Sequence, residues 1–450
     1  MRLQGLDGKH VAFWGAGIET SSLAERLGEL GVRPASTRLL IDEADAAGDF
    51  AADEVVTGQR IAPALEGVDI VLRSPIVNHA RDELVQFRER GGTVVTPTGV
   101  WLAEFSGQVP LIGVTGTKGK STSATLVAHL LGAAGRRVEL AGNIGRSVWE
   151  IEDPRALDHV VLELSSYQMV DAPASPPTLL VTNAYPEHLD WHGGMSEYFA
   201  AKFRLTQMPG VRTALNPSAA ASAREHWPAS YTAFGSEGEF TADGQAVRSG
   251  GETVLRIGEF SAPGAHNLTN LCGALTVLRL SGVEVDDVRA AVADFRPLRD
   301  RLEVVADHAG VRWICDQMHA SPEAVVAAVD TFAESSDRLV LIVGGRYRGQ
   351  PHETVARLML ENSALEVICI EESGAIAQQE LLEAGVSAER VERFETIEQG
   401  VAQAAATAAP GDTVIFCPMA PIRNFRPPAE RSREFRAALT AQIGDAEVTP

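Results

Sequence analysis

Seven residues, Gly116-Thr117-Lys118-Gly119-Lys120-Ser121-Thr122, constrain this chain more tightly than any other stretch. They follow an apolar run at 109–115 that predicts a buried strand, and they precede a helical pattern at 121–134. Glycines in such a turn let backbone N–H groups curl around phosphate oxygens. The start of the helix adds the positive end of its dipole, Lys120 a point charge, and Ser121 or Thr122 a hydroxyl for Mg2+. Val114 holds the first glycine position of the strict GxxxxGK(S/T) pattern, so the loop is the shorter GTxGK(S/T) form. A chance glycine–lysine turn is the bland alternative, and the strand–loop–helix setting speaks against it. The loop is expected to bind a nucleoside triphosphate.

Strands and helices alternate along the rest of the chain. Apolar runs at 10–15, 70–72 and 93–96, with a helix at 20–30, predict a parallel sheet covered by helices. Strands at 159–164 and 179–183 extend the segment that holds the loop, and residues 212–262 read as β-rich excursions at its margin. Helices at 267–281 and 286–295 lead into Phe295-Arg296-Pro297-Leu298-Arg299-Asp300-Arg301, which breaks the pattern like a hinge. Strands at 312–315, 338–343, 366–370 and 413–417 then alternate with helices. At roughly 150 residues per domain, a chain of 450 residues has room for about three. The expected division is 1–107, 108–297 and 298–450, an α/β protein.

Composition narrows the partners. Lys and Arg number 39 against 60 Asp and Glu, a net charge of −21. Nucleic acid is therefore not an expected partner, and phosphates must be met by local amides and a few placed cations. Apolar residues at 45% and charged residues at 22% are those of an ordinary globular protein. No run reaches the about 18 apolar residues of a membrane span, and no secretory segment opens the chain. Cys272, Cys315, Cys369 and Cys417 stand singly in apolar contexts and read as reduced, buried thiols. A cytoplasmic protein without a membrane partner is expected.

Other motifs carry weaker signals. Gly15-Ala16-Gly17 lacks the third glycine of GxGxxG, since Thr20 stands there. Ser36-Thr37-Arg38 occupies what reads as the end of the second strand, where an acidic residue would hold a ribose. A redox dinucleotide is thus not expected; the turn either carries no ligand or caps a nucleotide-sugar diphosphate. Leu162-Glu163-Leu164-Ser165-Ser166-Tyr167-Gln168 puts a carboxylate at the end of a buried strand, either capped locally or paired with Mg2+. Tyr185-Pro186-Glu187-His188-Leu189-Asp190-Trp191-His192 is dense enough for metal or phosphate chemistry, with a solvated loop as the alternative. Lys202, on an apolar helical stretch, reads from its residue type as a snorkelling surface lysine.

Taken together these motifs resemble the Mur ligases, ATP-dependent enzymes that add amino acids to UDP-N-acetylmuramoyl precursors of peptidoglycan. The nearest branch is the UDP-N-acetylmuramoyl-L-alanine:glutamate ligases. Matching segments include Gly142-Asn143-Ile144-Gly145, residues 162–168, Ala265-His266-Asn267-Leu268-Thr269-Asn270 and Arg301-Leu302-Glu303-Val304-Val305. The GTKGKST loop, the Pro186–Gly193 stretch and Arg348 look more like the variant that adds L-glutamate than the one that adds D-glutamate. The resemblance implies three domains: a Rossmann-like nucleotide-sugar domain, a P-loop ATPase domain, and a Rossmann-like domain for ATP and the amino acid. It implies ATP and two Mg2+ ions, with Lys120 and Thr122 at phosphate and metal, Glu163 and His188 as Mg2+ ligands, and Lys202 carbamylated to ligate the second ion. Lys120, His188 and Lys202 would be catalytic. Asn267 and Asn270 would face adenine, Arg301 and Asp316 would contact ATP, and Ser74, Asn143, Ser165, His319, Arg348 and Arg423 fall to the substrates. The expected partners are small molecules, a nucleotide-sugar carboxylate and an amino acid, and the expected state is a monomer.

Departures from the family cluster where substrates are chosen. Ala320 takes the place of a threonine that holds the glutamate carboxylate, and Ile422 stands near a serine position. Ser74-Pro75-Ile76 loses the glycine of a Ser-Pro-Gly loop, and Ser36 stands where an aspartate meets uracil. Each lost hydroxyl is worth about 1.5–3 kcal/mol to a buried carboxylate. Two other readings therefore stay open. One is a paralogue joining a different carboxylate and amine in a specialised-metabolite pathway. The other is a nucleotide-binding regulatory protein without ligase activity.

Overall fold

The computed structural model describes residues 1–42, 50–262, 264–296, 298–317, 322–345, 352–418, 428–444 and 448. The chain forms two compact units, residues 1–260 with 266–295, and residues 261–265 with 296–450.

The first unit holds two parallel sheets and a small antiparallel one. Strands β1 (His10–Trp14), β2 (Ser36–Ile41), β3 (Glu54–Thr57), β4 (Ile70–Arg73) and β5 (Thr93–Val95) line up in the order β3-β2-β1-β4-β5. The order reverses between β1 and β4, which opens a crevice at their C-terminal ends, the place where ligands bind in open α/β sheets. The second sheet contains β6 (Leu111–Thr115), β7 (Val138–Gly142), β8 (His159–Glu163), β9 (Thr178–Val181), β10 (Arg212–Leu215) and β11 (Thr232–Ala233), ordered β11-β10-β9-β6-β8-β7. Its middle strands, β6, β8 and β9, are buried along their whole length, as continuous apolar runs in a parallel sheet require. Strands β12 (Phe240–Ala242), β13 (Ala246–Ser249) and β14 (Glu252–Arg256) form the antiparallel sheet, the β-rich excursion expected there.

One apolar core joins the two parallel sheets: Phe13 and Leu72 belong to the same cluster as Trp101, Leu111, Leu162 and Leu179. The helix Pro97–Phe105 lies between them in sequence. Thr96 caps it by accepting from the Gly99 N–H at 3.0 Å, and Pro97 at its first position needs no hydrogen-bond partner.

The second unit is built on β15 (Glu303–His308), β16 (Val311–Cys315), β17 (Leu339–Gly344), β18 (Leu365–Ile370), β19 (Val391–Phe394) and β20 (Thr413–Phe416). Their order is β15-β16-β20-β17-β18-β19, parallel except for the β15–β16 hairpin. Where a helix was expected over 286–295, only Val288–Val292 is α-helical. Asp300, in the segment read as a hinge, and Leu302, just after it, hold φ of 61° and 46°, a conformation that side chains disfavour. All four cysteines are buried and none is in a disulfide. Among the described residues no helix is long and apolar enough to cross a membrane.

Candidate active site

The glycine-rich loop leaves β6, the strand flanked by β8 and β9, and runs into the helix Lys120–Ala133. Gly116 has φ 151° and Gly119 φ 75°; a Cβ on Gly116 would collide with the Thr182 hydroxyl, and one on Gly119 would meet Asn270 Oδ1 at 2.7 Å. Both positions therefore need glycine. The end of β9 shapes the loop. Asn183 Oδ1 accepts from the Thr117 N–H (3.0 Å) and the Lys118 N–H (2.8 Å), while Thr182 Oγ1 donates to the Lys118 carbonyl at 2.7 Å. Those two loop amides are committed to protein. Beyond them the chain enters the first turn of the helix, whose N–H groups point back toward the loop. Thr117 shares a hydrogen bond with the Tyr198 hydroxyl (2.8 Å), and Lys120 Nζ donates to the Thr117 carbonyl (2.8 Å).

Glu163 ends β8 beside the loop strand, in register with Val114. It is 1% exposed. Asn143 holds one of its oxygens, donating from Nδ2 to Oε1 at 2.7 Å. Oε2 is buried with no hydrogen-bond partner among the described residues. A carboxylate oxygen in that condition is costly unless a cation meets it, so the residues present fit a bound Mg2+. Among the described residues no group of three His, Cys, Asp or Glu side chains is arranged to hold a metal by itself. Ser165 caps the short helix Ser166–Met169, and the Ser166 hydroxyl meets His192 Nε2 at 3.0 Å.

Lys202 corrects the reading from residue type. It is not at the surface: it is 2% exposed. On the helix Met195–Phe203 it shares the buried face with Tyr198, Phe199 and Phe203, and that face carries it inward. Its Nζ donates to the Gly116 carbonyl at 2.7 Å and lies 4.9 Å from the Tyr198 ring centre. Burial first, and Lys120 second, hold its ammonium well below the ordinary lysine value. Lys118 forms an ion pair with Glu187 at 2.7 Å, and Glu187 Oε2 is 3.7 Å from His188 Nε2. Burial also lowers His188, with Glu187 opposing it. Loop, Glu187, His188 and Lys202 thus share one electrostatic neighbourhood.

The imidazole of His192 is more strongly affected. Burial, with His79, His188, Lys202 and Arg73 nearby, pulls it down to about 4. Unfolding releases it to about 6.5, so the unfolded chain binds more protons between those values. Its contribution to stability is therefore complete above about pH 6.5 and lost as pH falls toward 4. The His192→Gln variant should show a shallower fall in melting temperature over that range, the difference being at most about 1.4 kcal/mol per pH unit. Equal slopes would refute the assignment.

Asn267 and Asn270 lie buried on the helix Ala265–Leu280, with Asn270 Nδ2 donating to Asn267 Oδ1 at 2.9 Å. Asn270 rests against the loop at Gly119. Ser74 is buried at the end of β4, packed on Gly15 and Gly17 across the crevice. Arg301 and Asp316 belong to the second unit, where Asp316 is fully buried and accepts from the Leu302 N–H at 3.0 Å. His319, Arg348 and Arg423, with Ala320 and Ile422, lie outside the described residues.

Ser36 needs a second correction. It begins β2 rather than ending it: it pairs with His10, and its hydroxyl is 2.8 Å from His10 Nδ1. The crevice lies at the other end of the strand, so Ser36 cannot meet a nucleoside there. The residue that follows β2 is Asp42, held by Arg81 at 3.0 Å. The residue pattern does not single out Asp42, because it puts the end of the strand at 36–38 where the strand begins. It also gives no role to Asn183, although a polar residue closing the apolar run at 179–183 is a usable signal.

A loop of this kind on a central parallel strand, flanked by a buried carboxylate and a buried lysine, defines an enzyme that works on a nucleoside triphosphate. Comparison with known proteins agrees. The Mur ligase middle domain matches residues 114–278, and the Mur ligase glutamate ligase domain matches residues 300–419. The chain is 35% identical to a UDP-N-acetylmuramoyl-L-alanine--L-glutamate ligase of Xanthomonas euvesicatoria, over 83% of this chain and 82% of that one. It is 32% identical to the enzyme of the same name from a Micromonospora species, over 99% of both. The fold is that of the solved UDP-N-acetylmuramate-alanine ligase MurC of Thermotoga maritima, with a TM-score of 0.62 at 18% identity, covering 96% of this chain and 99% of that one. The chain belongs to the Mur ligase family and is an ATP-dependent amide ligase.

Proposed function

We propose that this ligase adds L-glutamate to UDP-N-acetylmuramoyl-L-alanine in the cytoplasm, as a monomer, during peptidoglycan precursor synthesis. The likeness to L-glutamate ligases over 99% of both chains, with the nucleotide loop intact, carries this reading. Asp42 after β2 adds to it by restoring an acidic residue at the nucleoside end of the first crevice. In this reading residues 1–107 hold the nucleotide-sugar through Ser74 and Asp42, residues 108–297 hold ATP, and residues 298–450 bring the amino acid and further ATP contacts from Arg301 and Asp316. His319, Arg348 and Arg423 are assigned to the amino-acid side.

Mg2+, held by Thr122, Glu163, His188 and a carbamate on Lys202, would supply positive charge where the phosphate becomes more negative. A neutral amine is the form that attacks carbon dioxide, and burial has moved Lys202 toward that form. Within the chain, Lys120 and the amides from Gly119 onward grip the phosphates. Asn267 and Asn270 flank the loop where a base would lie, and Asn143 and Ser165 hold the substrate near Glu163. An oxygen of the substrate carboxylate attacks the γ-phosphorus and ADP leaves, giving an acyl phosphate. The amine of glutamate then attacks the acyl carbon, loses a proton, and expels inorganic phosphate. Most of the rate comes from positioning and from cations on the developing charge.

The released phosphate must carry one oxygen from the substrate carboxylate. With both carboxylate oxygens labelled as 18O, each phosphate should contain one label; unlabelled phosphate would exclude the acyl-phosphate route. Glu163→Gln removes the charge of the orphaned oxygen and should raise the Mg2+ concentration for half-maximal activity by at least about 10-fold. An unchanged Mg2+ requirement would remove Glu163 from the metal.

A further inference from the structure

We propose that Glu19 is a positioning residue that sets, through Gln168, the direction in which the Ser165 hydroxyl meets the substrate. The proposal rests on the reading above, in which Ser165 faces the nucleotide-sugar. Glu19 sits in the first turn of the helix Ile18–Arg26, directly after the Gly15–Gly17 turn. Its Oε2 accepts from Thr98 Oγ1 at 2.6 Å and from the Thr98 N–H at 3.3 Å. Its Oε1 accepts from Gln168 Nε2 at 2.6 Å. Gln168 is buried, and its Oε1 accepts both the Ser165 N–H (2.7 Å) and the Ser165 hydroxyl (2.9 Å).

The polarity of this chain of bonds is determined. An amide side chain has one accepting and one donating end, and a backbone N–H only donates. The Ser165 N–H therefore forces Gln168 Oε1 toward Ser165 and Nε2 toward Glu19, whose carboxyl accepts it. The hydroxyl proton of Ser165 is committed to Gln168, and one lone pair takes the Gln168 N–H at 3.3 Å. What remains can only accept. Ser165 therefore selects a substrate N–H or O–H, such as the amide of an acetamido or peptide group, over a phosphate or carboxylate oxygen. Burial raises the Glu19 carboxyl above its ordinary value, opposed by the bonds from Thr98 and Gln168. The link joins residues 149 positions apart, from the helix after β1 to the segment after β8.

The test is a polarity swap. In Glu19→Gln, a donating end turned toward Gln168 meets the Nε2 donor, and one turned toward Thr98 forces the Thr98 hydroxyl to reverse from donor to acceptor and leaves the Thr98 N–H without its acceptor. In Gln168→Glu, two carboxylates face each other. The double variant restores the pattern: the amide introduced at position 19 accepts from Thr98 with its oxygen and donates with its nitrogen to the carboxylate introduced at position 168, which in turn accepts from Ser165. Each single variant should raise the KM for UDP-N-acetylmuramoyl-L-alanine by about 10-fold, the scale of one lost hydrogen bond, with the KM for ATP unchanged. The double variant should recover most of the loss, and thermal unfolding of all four proteins should show the same coupling. Single variants with an unchanged KM, or a double variant no better than the worse single one, would overturn the relay alone. A wild type without turnover on these substrates would instead overturn the functional reading, and the relay's part in it.

Discussion

Lys202→Ala should lose ligase turnover by about 10²–10³-fold or more, the scale for removing one preorganised group at a reacting centre. The side chain is buried against Tyr198 and the Gly116 carbonyl, so no surface residue can take its place. Truncation leaves a space at the loop and one carbonyl without its donor, a stability cost of about 1–3 kcal/mol. If the working form is a carbamate, what the variant lacks is a carboxylate. Short carboxylic acids should then enter the space and restore part of the activity, while short amines should not. Full activity in the untreated variant would eliminate the carbamate role. Rescue by amines rather than acids would replace it with a cationic one.

The second large effect concerns stability. Arg73 is fully buried and directs every donor of its guanidinium to a partner. Nε and Nη2 reach Asp171 at 3.0 and 3.1 Å, and Nη2 also donates to the Tyr167 carbonyl at 2.8 Å. Nη1 donates to the carbonyls of Pro75 (2.9 Å) and Val77 (2.6 Å), with Ser74 at 3.3 Å. One side chain thus holds the loop after β4 to the segment after β8. Trp191 strengthens the same seam: its Nε1 donates to the Ile76 carbonyl at 3.0 Å, and Asn78 Nδ2 donates to the Trp191 carbonyl at 2.8 Å. Arg73→Met removes the cation and leaves Asp171, among the described residues, with the longer Arg88 contact at 3.6 Å. The expected cost is about 3–5 kcal/mol, since a buried partner left unpaired is worse than no pair. At about 2–4 °C per kcal/mol for a unit of this size, calorimetry should show a fall of roughly 10 °C. Adding Asp171→Asn should return part of it. A loss under about 1 kcal/mol would mean that the seam is held elsewhere.

Motif-bearing parts of this protein were legible because their residue types are unusual for their surroundings. Glycines and lysines between an apolar run and a helix announce the nucleotide loop, and the strand containing Glu163 declares itself by a carboxylate at the end of a buried run. Lys202 was not legible, because a lysine's own chemistry argues for the surface and only its neighbours in space reverse that. Asp42 was not singled out because no glycine or proline closes the second strand, so its end reads at 36–38 instead of 41. The pairing of His10 with Ser36 is a property of the sheet rather than of either residue. Glu19 and Gln168 could not be linked in advance, since nothing local to either residue points across the 149 positions between them. What the chain concealed is mainly long-range pairing of polar groups, and one such pair, Glu19 with Gln168, joins the segments of the two parallel sheets of the first unit.

The most direct measurement is the mass of the product formed from UDP-N-acetylmuramoyl-L-alanine and Mg-ATP with L-glutamate or D-glutamate, with ADP release followed in parallel. The account predicts a product heavier by one glutamyl residue with L-glutamate, formed only when ATP is consumed. A product made from D-glutamate alone, or no product with either isomer, would contradict it.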